Sequence, residues 1–382
     1  MNYQNLLSVI DSLNDTYCSL WETVCNIESP TACKAGVDAV GDVFVQLAKK
    51  RGWRVDVLRT EKAGNPICIT LNPDVQAAPV VFSGHIDTVH PVGSFGNPAV
   101  HTDAERIYGP GVMDCKGGVV ASFMALDALD KCGFTARPVK LIIQTDEETG
   151  SKTSDKQTIA FMLDAAKDAV AFLNTEGIQG ETAVLQRKGI LRYQFTVCGK
   201  AVHSSKCTAG ANAVCEAAHK IIQLETMKDP DGLTCNCGVI YGGTVANSVA
   251  EQCTFFADIR FANQEQYDAA VEMCEKVAKI STIDGCVCRL EKVSDRPAMP
   301  LVDKNVALLK EMNEIYEQSG LFALKARACL SGSDAAYTTQ ADIPTVDNLG
   351  VDGGNIHSVN EYAYLNSLAA SAKRLAVIAY GI

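Results

Sequence analysis

The chain has 382 residues, of which 47% are hydrophobic, and its formal net charge is −11. This length allows more than one domain, and the apolar content is sufficient for a large buried core. The acidic balance, with no cluster of basic residues, argues against nucleic acid or an anionic membrane surface as the partner.

The N-terminal part of the chain alternates helical and strand patterns. Apolar spacing predicts an amphipathic helix over residues 3–26, with a break at Asn14-Asp15. Short strands are predicted at "RVDVLRT" and "ICITLNP", followed by an apolar strand that ends at His85. A helical stripe in "MDCKGGVVASFMALDAL" precedes two more buried strands, in "PVKLIIQTDEETG" and "DAVAFLNTEG". This alternation predicts an α/β fold in which a mainly parallel sheet has helices on both faces.

A second, smaller domain is predicted over residues 190–297. Strands and helices alternate there as β-α-β-β-α-β, from "ILRYQFTVC" to "CVCRLEKV", which is the split ferredoxin-like pattern of an α+β domain. Pro297 and Pro300 mark a linker, after which helical and strand patterns resume. We therefore predict a discontinuous catalytic domain of residues 1–189 and 298–382, into which the smaller domain is inserted.

The sixteen cysteines are too few for a disulfide scaffold, and no Cys-x-x-Cys pair is present. They are expected to be small buried hydrophobic residues in a reducing compartment. The first residues lack a basic start followed by an apolar core, so no signal peptide is predicted. No apolar run has the length of a membrane span. A cytoplasmic protein is therefore expected.

Several side chains of the types that can bind metals lie at or just after the carboxyl ends of the predicted strands. These side chains are His85 with Asp87, the run Asp146-Glu147-Glu148, Glu176 and His357, to which a glycine-rich loop adds Asp114. Each could separately be an ordinary turn residue. However, ligand sites in open α/β sheets form beyond the carboxyl ends of strands, so we expect these side chains to meet.

The chemistry of this set favours a divalent transition metal. Two imidazoles and three carboxylates suit zinc or cobalt better than calcium, which prefers oxygen alone. Two ions with three ligands each would need one carboxylate that bridges them. In the run Asp146-Glu147-Glu148, neighbouring side chains cannot all face the same way, which favours one ligand and one free base.

The sequence resembles the M20 metallopeptidases, the co-catalytic zinc hydrolases that include aminoacylase, acetylornithine deacetylase and carboxypeptidase G2-like enzymes. The resemblance covers nearly the whole chain. It rests on eight segments in the order of the family, which are "GHIDTV", "GPGVMDCKGG", "TDEETGS", "NTEG", "GKAVHSSKCTAGANAV", "ANSVAEQCTFFADIRF", "SGSDAA" and "GNIHSVNEY".

The resemblance implies two zinc ions per chain, for which cobalt can substitute. Asp114 would bridge the two ions. His85 and Glu176 would complete the site of one ion, and Glu148 and His357 would complete the site of the other.

The resemblance also assigns catalytic roles to three residues. Asp87 would orient the imidazole of His85. Glu147 would be the general base that takes a proton from the metal-bridging water and returns it to the leaving amine. His203 would reach from the inserted domain of one subunit into the site of its partner and stabilise the tetrahedral oxyanion, which implies a homodimer.

The substrate implied by the resemblance is an amide next to a free α-carboxylate, in small peptides or N-acyl amino acids. Glu176, in place of Asp, accompanies carboxypeptidases and N-acyl amino acid deacylases in this family. Arg260 would hold the α-carboxylate with its planar guanidinium group. Asn247, Gly332 and Ser333 would line the same pocket. Peptidases, acetylornithine-type deacetylases and succinyl-diaminopimelate-type desuccinylases share this scaffold.

The sequence departs from the family in the segment "GSKTSDK" after the acidic run and in the serines of "AVHSS". Alternatives remain for single residues. Asp87 could cap a turn, His203 could be a solvated loop histidine, and Arg260 could lie in a surface ion pair. His90, His101 and His219 are interpreted as structural.

Two other classes of protein are weighed against the hydrolase. A non-catalytic binding or assembly relative would have lost a ligand or the base, and this chain has lost none. A cysteine-centred redox or metal-storage protein is disfavoured by the absence of Cys-x-x-Cys.

Overall fold

The structure is a computed structural model that describes residues 2–229 and 232–382. The first elements are α1 (Tyr3–Asn26), α2 (Lys34–Lys50), β1 (Arg54–Val57), β2 (Ile67–Leu71), β3 (Val80–His85), β4 (His101–Thr102), β5 (Arg106–Tyr108), α3 (Lys116–Lys131), β6 (Val139–Gln144), α4 (Gln157–Ala165), β7 (Ala171–Asn174) and β8 (Thr182–Arg187). They are followed by β9 (Gly189–Cys198), α5 (Ala213–Leu224), β10 (Thr234–Gly242), β11 (Gln252–Phe261), α6 (Gln264–Lys279), β12 (Val287–Arg296), α7 (Asp303–Ser319), β13 (Lys325–Cys329), α8 (Ala335–Gln340), β14 (Thr345–Val346), β15 (Gly353–Gly354), β16 (Tyr362–Tyr364) and α9 (Leu365–Gly381).

The chain divides into two compact units. The first unit comprises the described residues up to Leu185, together with Leu301–Ala328 and Ser333–Ile382. The second unit comprises the described part of Gln186–Pro300 and the short segment Cys329–Gly332.

The first unit contains a six-stranded sheet in the order β1-β2-β6-β3-β7-β14. Strands β6, β3, β7 and β14 run parallel, whereas β1 and β2 form an antiparallel edge. Val80 and Phe82 of β3 pack into the larger hydrophobic core with helices α1, α3 and α9, and Val81 between them packs into a second core beside α4. The mixed α/β fold with a mainly parallel sheet and helices on both faces is therefore confirmed.

Helix α3 lies in the middle of the first unit. Every residue from Lys116 to Leu129 is buried, so this helix has no solvent-facing side. Its first turn lies directly against β3, because Gly84 has no side chain: a Cβ atom there would lie 2.7 Å from Thr175 Oγ1 and 2.9 Å from Val119. The close approach brings the segment before α3 next to the end of β3.

The second unit contains four antiparallel strands in the order β10-β11-β9-β12, and its helices are α5 and α6. Burial alternates strictly along β9, where Leu191, Tyr193, Phe195 and Val197 belong to the core of this unit. Alternation of this kind is expected for a sheet that is covered on one face.

The structure differs from the predicted elements at several places. Helix α1 is continuous through Asn14-Asp15, because its buried stripe runs from Leu6 through Tyr17 to Trp21 without a change of face. Three helices (α2, α4 and α8), the strands β8 and β13, and a small antiparallel sheet in the order β15-β16-β5-β4 were not predicted.

All sixteen cysteines are unpaired thiols. In the part of the chain that the structure describes, we find no helix with the length and apolar character needed to cross a bilayer.

Candidate metal centre

His85 ends strand β3 and points into a group of acids in the first unit. Its Nε2 atom lies 3.1 Å from Asp114 Oδ1 and 3.6 Å from Glu176 Oε1. Its Nδ1 atom lies 3.0 Å from the carbonyl oxygen of Asp87 and 3.4 Å from Asp87 Oδ1. One ring nitrogen therefore faces the acids and the other is held by Asp87, the arrangement that fixes a metal-binding imidazole.

Asp87 is fully buried and its carboxylate has more than one partner. It accepts hydrogen bonds from the hydroxyl of Thr31 at 2.7 Å and from the backbone N–H groups of Glu147 at 3.1 Å and Glu148 at 3.2 Å. Asp87 therefore connects His85 to the turn that carries the acidic run, and its contacts are those that turn capping and the predicted orientation of His85 would each require.

Asp114 lies between the two imidazoles. Its Oδ1 atom contacts His85, and its Oδ2 atom lies 3.2 Å from His357 Nε2. His357 Nε2 is in turn 3.3 Å from Glu148 Oε2. The five residues therefore form two imidazole–carboxylate pairs, His85 with Glu176 and His357 with Glu148, with Asp114 between the pairs.

The donor set fits metal ions. Ligand atoms of His85, Asp114 and Glu148 lie within 4.8 Å of one another, as do those of His85, Glu176 and Cys115. The Cys115 thiol donates a hydrogen bond to Thr175 O at 3.0 Å, and burial raises its pKa, so it is held in its neutral form. The remaining ligands are imidazole and carboxylate groups, which suit zinc and its neighbours.

The carboxylates of the site are close together and buried, so their negative charges favour the binding of protons or of a cation. Burial raises the pKa of Glu148 to about 8, and burial followed by the charge of Asp114 raises the pKa of Glu176 well above its ordinary value. Hydrogen bonds to Asp114 and Glu148 raise the pKa of His357 to about 10. For His85, burial acts to lower the pKa, but hydrogen bonds to Asp114 and Asp87 outweigh it, so the pKa is raised. The metal-free site therefore retains protons where a cation would otherwise be bound.

We expect the metal-free and metal-loaded chains to respond to pH in opposite directions. With these pKa values raised, the folded state retains protons that the unfolded state releases. The free energy of unfolding of the metal-free chain should therefore fall as pH rises. Glu148 contributes to this fall between its ordinary pKa of 4.5 and about 8, and His357 contributes between its ordinary pKa of 6.5 and about 10. Zinc binding requires deprotonated ligands, so the stabilisation by zinc should grow with pH.

Thermal unfolding between pH 6 and 9, in chelator and in zinc, measures how the stability of the metal-free chain and of the metal-loaded chain changes with pH. The matched variant is Glu148→Gln, which in chelator should lose part of the slope. An unchanged slope in this variant would contradict the assignment.

The acidic run after β6 divides its three carboxylates. Asp146 points away from His85, because its oxygens accept hydrogen bonds from Thr158 Oγ1 at 2.7 Å and Ser154 N at 2.8 Å. Glu147 begins a 3₁₀ turn, Glu147–Thr149, and is buried, and its charge acts to raise the pKa of both Glu148 and Glu176. The segment "GSKTSDK" thus supplies Ser154 to hold Asp146, while Glu147 and Glu148 remain at the cluster.

Glu361 is a residue of the site that the sequence did not single out. It is 2% exposed, and its Oε1 atom accepts the N–H groups of Met113 at 2.9 Å and Asp114 at 3.0 Å, while Oε2 accepts that of Gly111 at 3.2 Å. Glu361 therefore fixes the backbone of the residue that lies between the imidazoles. Its position four residues after His357 is visible in the sequence, but hydrogen bonds to backbone N–H groups leave no pattern there.

We expect Glu361→Gln to lower zinc affinity by about 10- to 100-fold while the chain stays folded, the usual cost of losing a group that orients metal ligands. The amide would turn an NH₂ group toward a backbone donor and so misplace Asp114. A competition titration with a zinc chelator measures the change, with the exposed Asn360→Gln as control. Unchanged affinity would show that Glu361 only supports the loop.

Four of the other predicted site residues lie in the second unit. His203 is exposed and its Nδ1 atom is 2.9 Å from Ser205 Oγ, while the carbonyl oxygen of Asn247 accepts the N–H group of Ser204. Arg260 lies in an ion pair with Asp258 at 2.7 Å. Gly332 accepts a hydrogen bond from Arg187 through its carbonyl oxygen at 3.2 Å.

Ser333 belongs to the first unit and is fully buried, with its hydroxyl accepting a hydrogen bond from Asn174 Nδ2 at 3.0 Å. Its described contacts are structural. In the first unit, the structure therefore brings together the five predicted ligands, Asp87 and Glu147.

The fold and the site are those of a metallopeptidase-type hydrolase. The model of peptidase family M20/M25/M40 matches residues 81–380, and the chain belongs to this family. The family resemblance seen in the sequence is confirmed.

Similar proteins that are named as hydrolases support the assignment to this class of enzyme. The chain is 28% identical to carboxypeptidase G2 of Pseudomonas sp. strain RS-16 over 352 residues, which cover 88% of this chain and 82% of the relative. It is 24% identical to acetylornithine deacetylase of Myxococcus xanthus over 312 residues, covering 76% of this chain and 77% of the relative. The fold matches the crystal structure of aminopeptidase PepT from Bacillus cereus with a TM-score of 0.76 at 20% identity, over 99% of this chain and 98% of that one.

Proposed function

We propose that this enzyme is a two-zinc hydrolase that cleaves an amide bond next to a free α-carboxylate, in small peptides or N-acyl amino acids. The observation that carries the proposal is the position of Asp114, whose two oxygens each contact one imidazole, at 3.1 Å and 3.2 Å. A carboxylate with one oxygen directed to each half of the cluster is suited to bridge two ions. Cobalt should substitute for zinc, because it accepts the same ligands.

The residues of the chain divide the chemical work. Zinc ions held by His85, Glu176, His357, Glu148 and Asp114 would lower the pKa of water and polarise the carbonyl that is attacked. Glu147 accepts the proton of the attacking water and donates it to the leaving amine. Asp87 keeps the Nδ1 atom of His85 engaged, so that Nε2 faces the cluster.

The carboxylate specificity is proposed from the second unit. Arg192 and Arg260 both pair with Asp258, at 2.6 Å and 2.7 Å, so two guanidinium groups share one carboxylate and one positive charge remains uncompensated within this group. A substrate α-carboxylate would match that excess charge and the planar geometry of a guanidinium group. Asn247 and Gly332, which lie in the same unit, are proposed to complete this pocket. The relation to carboxypeptidase G2 supports the same specificity.

A biosynthetic deacylase is the second candidate, because acetylornithine deacetylase is among the relatives. It would use the same residues on an N-acetyl or N-succinyl substrate. The two candidates differ only in the group on the acyl side of the amide.

Residues 190–297, which lie within the second unit, are proposed to be a ferredoxin-like lid and dimerisation domain, through which His203 of a partner chain would stabilise the oxyanion. Strand β10 lies at an edge of its sheet and exposes Val239, Ile240 and Tyr241 by 51%, 47% and 57%. An exposed apolar edge strand is a template for pairing with a second chain.

We expect Ile240→Lys to convert a dimer into a monomer, because it places a charge on this edge. Light scattering after size exclusion measures the mass, and Ile222→Lys, on the exposed face of α5, is the control. A wild-type monomer, or a variant that remains dimeric, would contradict the assignment of this edge.

The test of the proposed function is an activity assay of zinc- and cobalt-loaded enzyme. Substrates are dipeptides, N-acetyl, N-succinyl and N-aroyl amino acids, and dipeptide amides that lack the carboxylate. We expect turnover only where the α-carboxylate is free, and loss of turnover after chelation. Hydrolysis of the amides alone would overturn the carboxylate specificity, and full activity without metal would overturn the mechanism.

A further inference from the structure

The segment "GSKTSDK", residues 150–156, follows the acidic run and departs from the family pattern. Three of its residues other than glycine have left-handed backbone, namely Ser151, Asp155 and Lys156, with φ of 58°, 53° and 64°. Residues that carry a Cβ atom rarely adopt this conformation, whereas glycine adopts it readily. Strained backbone of this kind persists only where surrounding contacts hold it, and it clusters at functional sites.

The backbone of this segment folds back onto the turn that carries the acidic run. The N–H group of Ser151 donates to Asp146 O at 2.9 Å, and the N–H group of Lys156 donates to Ser151 O at 2.8 Å. At the end of the 3₁₀ turn, the N–H group of Gly150 donates to Glu147 O at 2.7 Å. Gly150 therefore links the segment directly to the backbone of Glu147.

The side chain of Lys156 makes contacts at both ends of this arrangement. Its Nζ atom donates to Gly150 O at 2.7 Å and to the hydroxyl group of Tyr337 on helix α8. The same atom lies 4.9 Å from the centre of the Tyr337 ring. Tyr337 packs against the second core of the first unit, which includes Val81 and Phe172. Lys156 therefore attaches the end of the acidic turn to helix α8.

The acidic turn is thus held at both of its ends. At its beginning, the carboxylate of Asp87 accepts the N–H groups of Glu147 and Glu148. At its end, Lys156 holds the carbonyl group of Gly150. The 3₁₀ turn has three residues, so it has few hydrogen bonds of its own and its position depends on these attachments. A displacement of about 1 Å in a reacting group can lower a rate by about 100-fold.

We propose that Lys156 is a positioning residue for the general base, and that it acts by holding the end of the turn that carries Glu147. The inference rests on the proposed function, in which Glu147 accepts the proton of the attacking water. Lys156 need not touch the substrate or the metal ions for this role. Its loss should therefore lower kcat and kcat/KM by the same factor, because an interaction that acts only in the transition state is removed.

The test is steady-state kinetics of the zinc-loaded enzyme on the N-acyl amino acid or dipeptide that the wild-type enzyme hydrolyses fastest. We expect Lys156→Met to lower kcat by about 10- to 100-fold, with KM within about 2-fold of wild type and the zinc content unchanged. Lys152→Met is the matched control, because Lys152 is an exposed lysine of the same segment, and it should keep the wild-type kcat. An unchanged kcat in Lys156→Met would overturn the inference while the proposed function stands. A loss of zinc would also overturn it, because Lys156 would then support the metal ligand Glu148 rather than the base.

A glycine variant separates positioning from stability. Lys156→Gly removes the same side-chain contacts but suits left-handed backbone, so it should unfold at a higher temperature than Lys156→Met. Its kcat should nevertheless be at least as low as that of Lys156→Met. If kcat instead rose with the unfolding temperature across the two variants, Lys156 would be a structural residue and the inference would be wrong.

A double variant tests whether Lys156 acts through Glu147. When Lys156→Met is added to Glu147→Gln, kcat should stay within about 2-fold of that of Glu147→Gln alone, because the effects of residues that act as a unit are not additive. Any larger fall would mean that Lys156 acts by another route. If Glu147→Gln itself kept full activity, or if the wild-type enzyme hydrolysed none of the substrates, the proposed function and this inference would both be wrong.

Discussion

Glu147→Gln should lower kcat by about 10²- to 10⁴-fold, the usual contribution of a general base, while both zinc ions remain bound. The amide has the shape of the carboxylate but cannot accept a proton from water at neutral pH. The backbone of Glu147 is held by its own N–H group, which donates to Asp87, so the substitution should leave the 3₁₀ turn in place.

The measurement is steady-state kinetics together with zinc content by mass spectrometry, on enzyme purified without chelator. Glu105→Gln is the matched control, because Glu105 is an exposed glutamate of the same unit. Retained activity would remove Glu147 from the mechanism. Loss of zinc would instead identify Glu147 as a ligand, and the division of the acidic run between base and ligand would then be wrong.

Glu176→Gln should abolish binding of one zinc ion and yet leave the metal-free chain at least as stable as wild type at pH 8. Burial and the neighbouring charge of Asp114 raise the pKa of Glu176, so its ionised carboxylate destabilises the folded state when no cation is present. The amide removes that penalty. In zinc, the wild-type chain gains stability in proportion to its affinity, whereas the variant loses most of this gain.

Thermal unfolding is measured for the wild-type chain and for the Glu176→Gln variant, each in chelator and in excess zinc. The zinc content of both proteins is determined separately. The exposed Glu181→Gln should behave as wild type in both conditions. A variant that is less stable than wild type in chelator would mean that Glu176 is a structural residue. Two zinc ions in the variant would mean that it is no ligand.

The meeting of the five proposed ligands could be predicted because each lies at a recognisable place in the chain. His85 is the last residue of one buried apolar strand, Glu176 follows a second, and Glu148 follows a third. Parallel strands end at one edge of a sheet, so side chains far apart in sequence meet there. The α/β fold followed from the same alternation of strands and helices.

The groups that hold the ligands in place could not be predicted, because they act through long-range or backbone contacts. Thr31 reaches Asp87 across 56 residues, and Glu361 binds the N–H group of Asp114 across 247. Neither contact leaves a period or spacing in the sequence.

Helix α2 could have been found. Val37, Val40, Phe44 and Ala48 are buried at helical spacing, and only the absence of a strong start signal obscured them. The break expected at Asn14-Asp15 gave too much weight to local propensity, which is a weak preference that packing of Tyr17 and Trp21 overrides.

The burial of α3 on all sides has a consequence for how the enzyme handles its metal. Backbone amides in a helix without a solvent-facing side exchange their hydrogens only when the whole unit opens. Asp114 lies two residues before the first residue of this helix, so the residue proposed to bridge the ions is attached to a part of the fold whose hydrogens should exchange slowly. Removal of the ions should therefore leave a preformed receptor that reloads without refolding, in contrast to small zinc domains, whose folding depends on the metal.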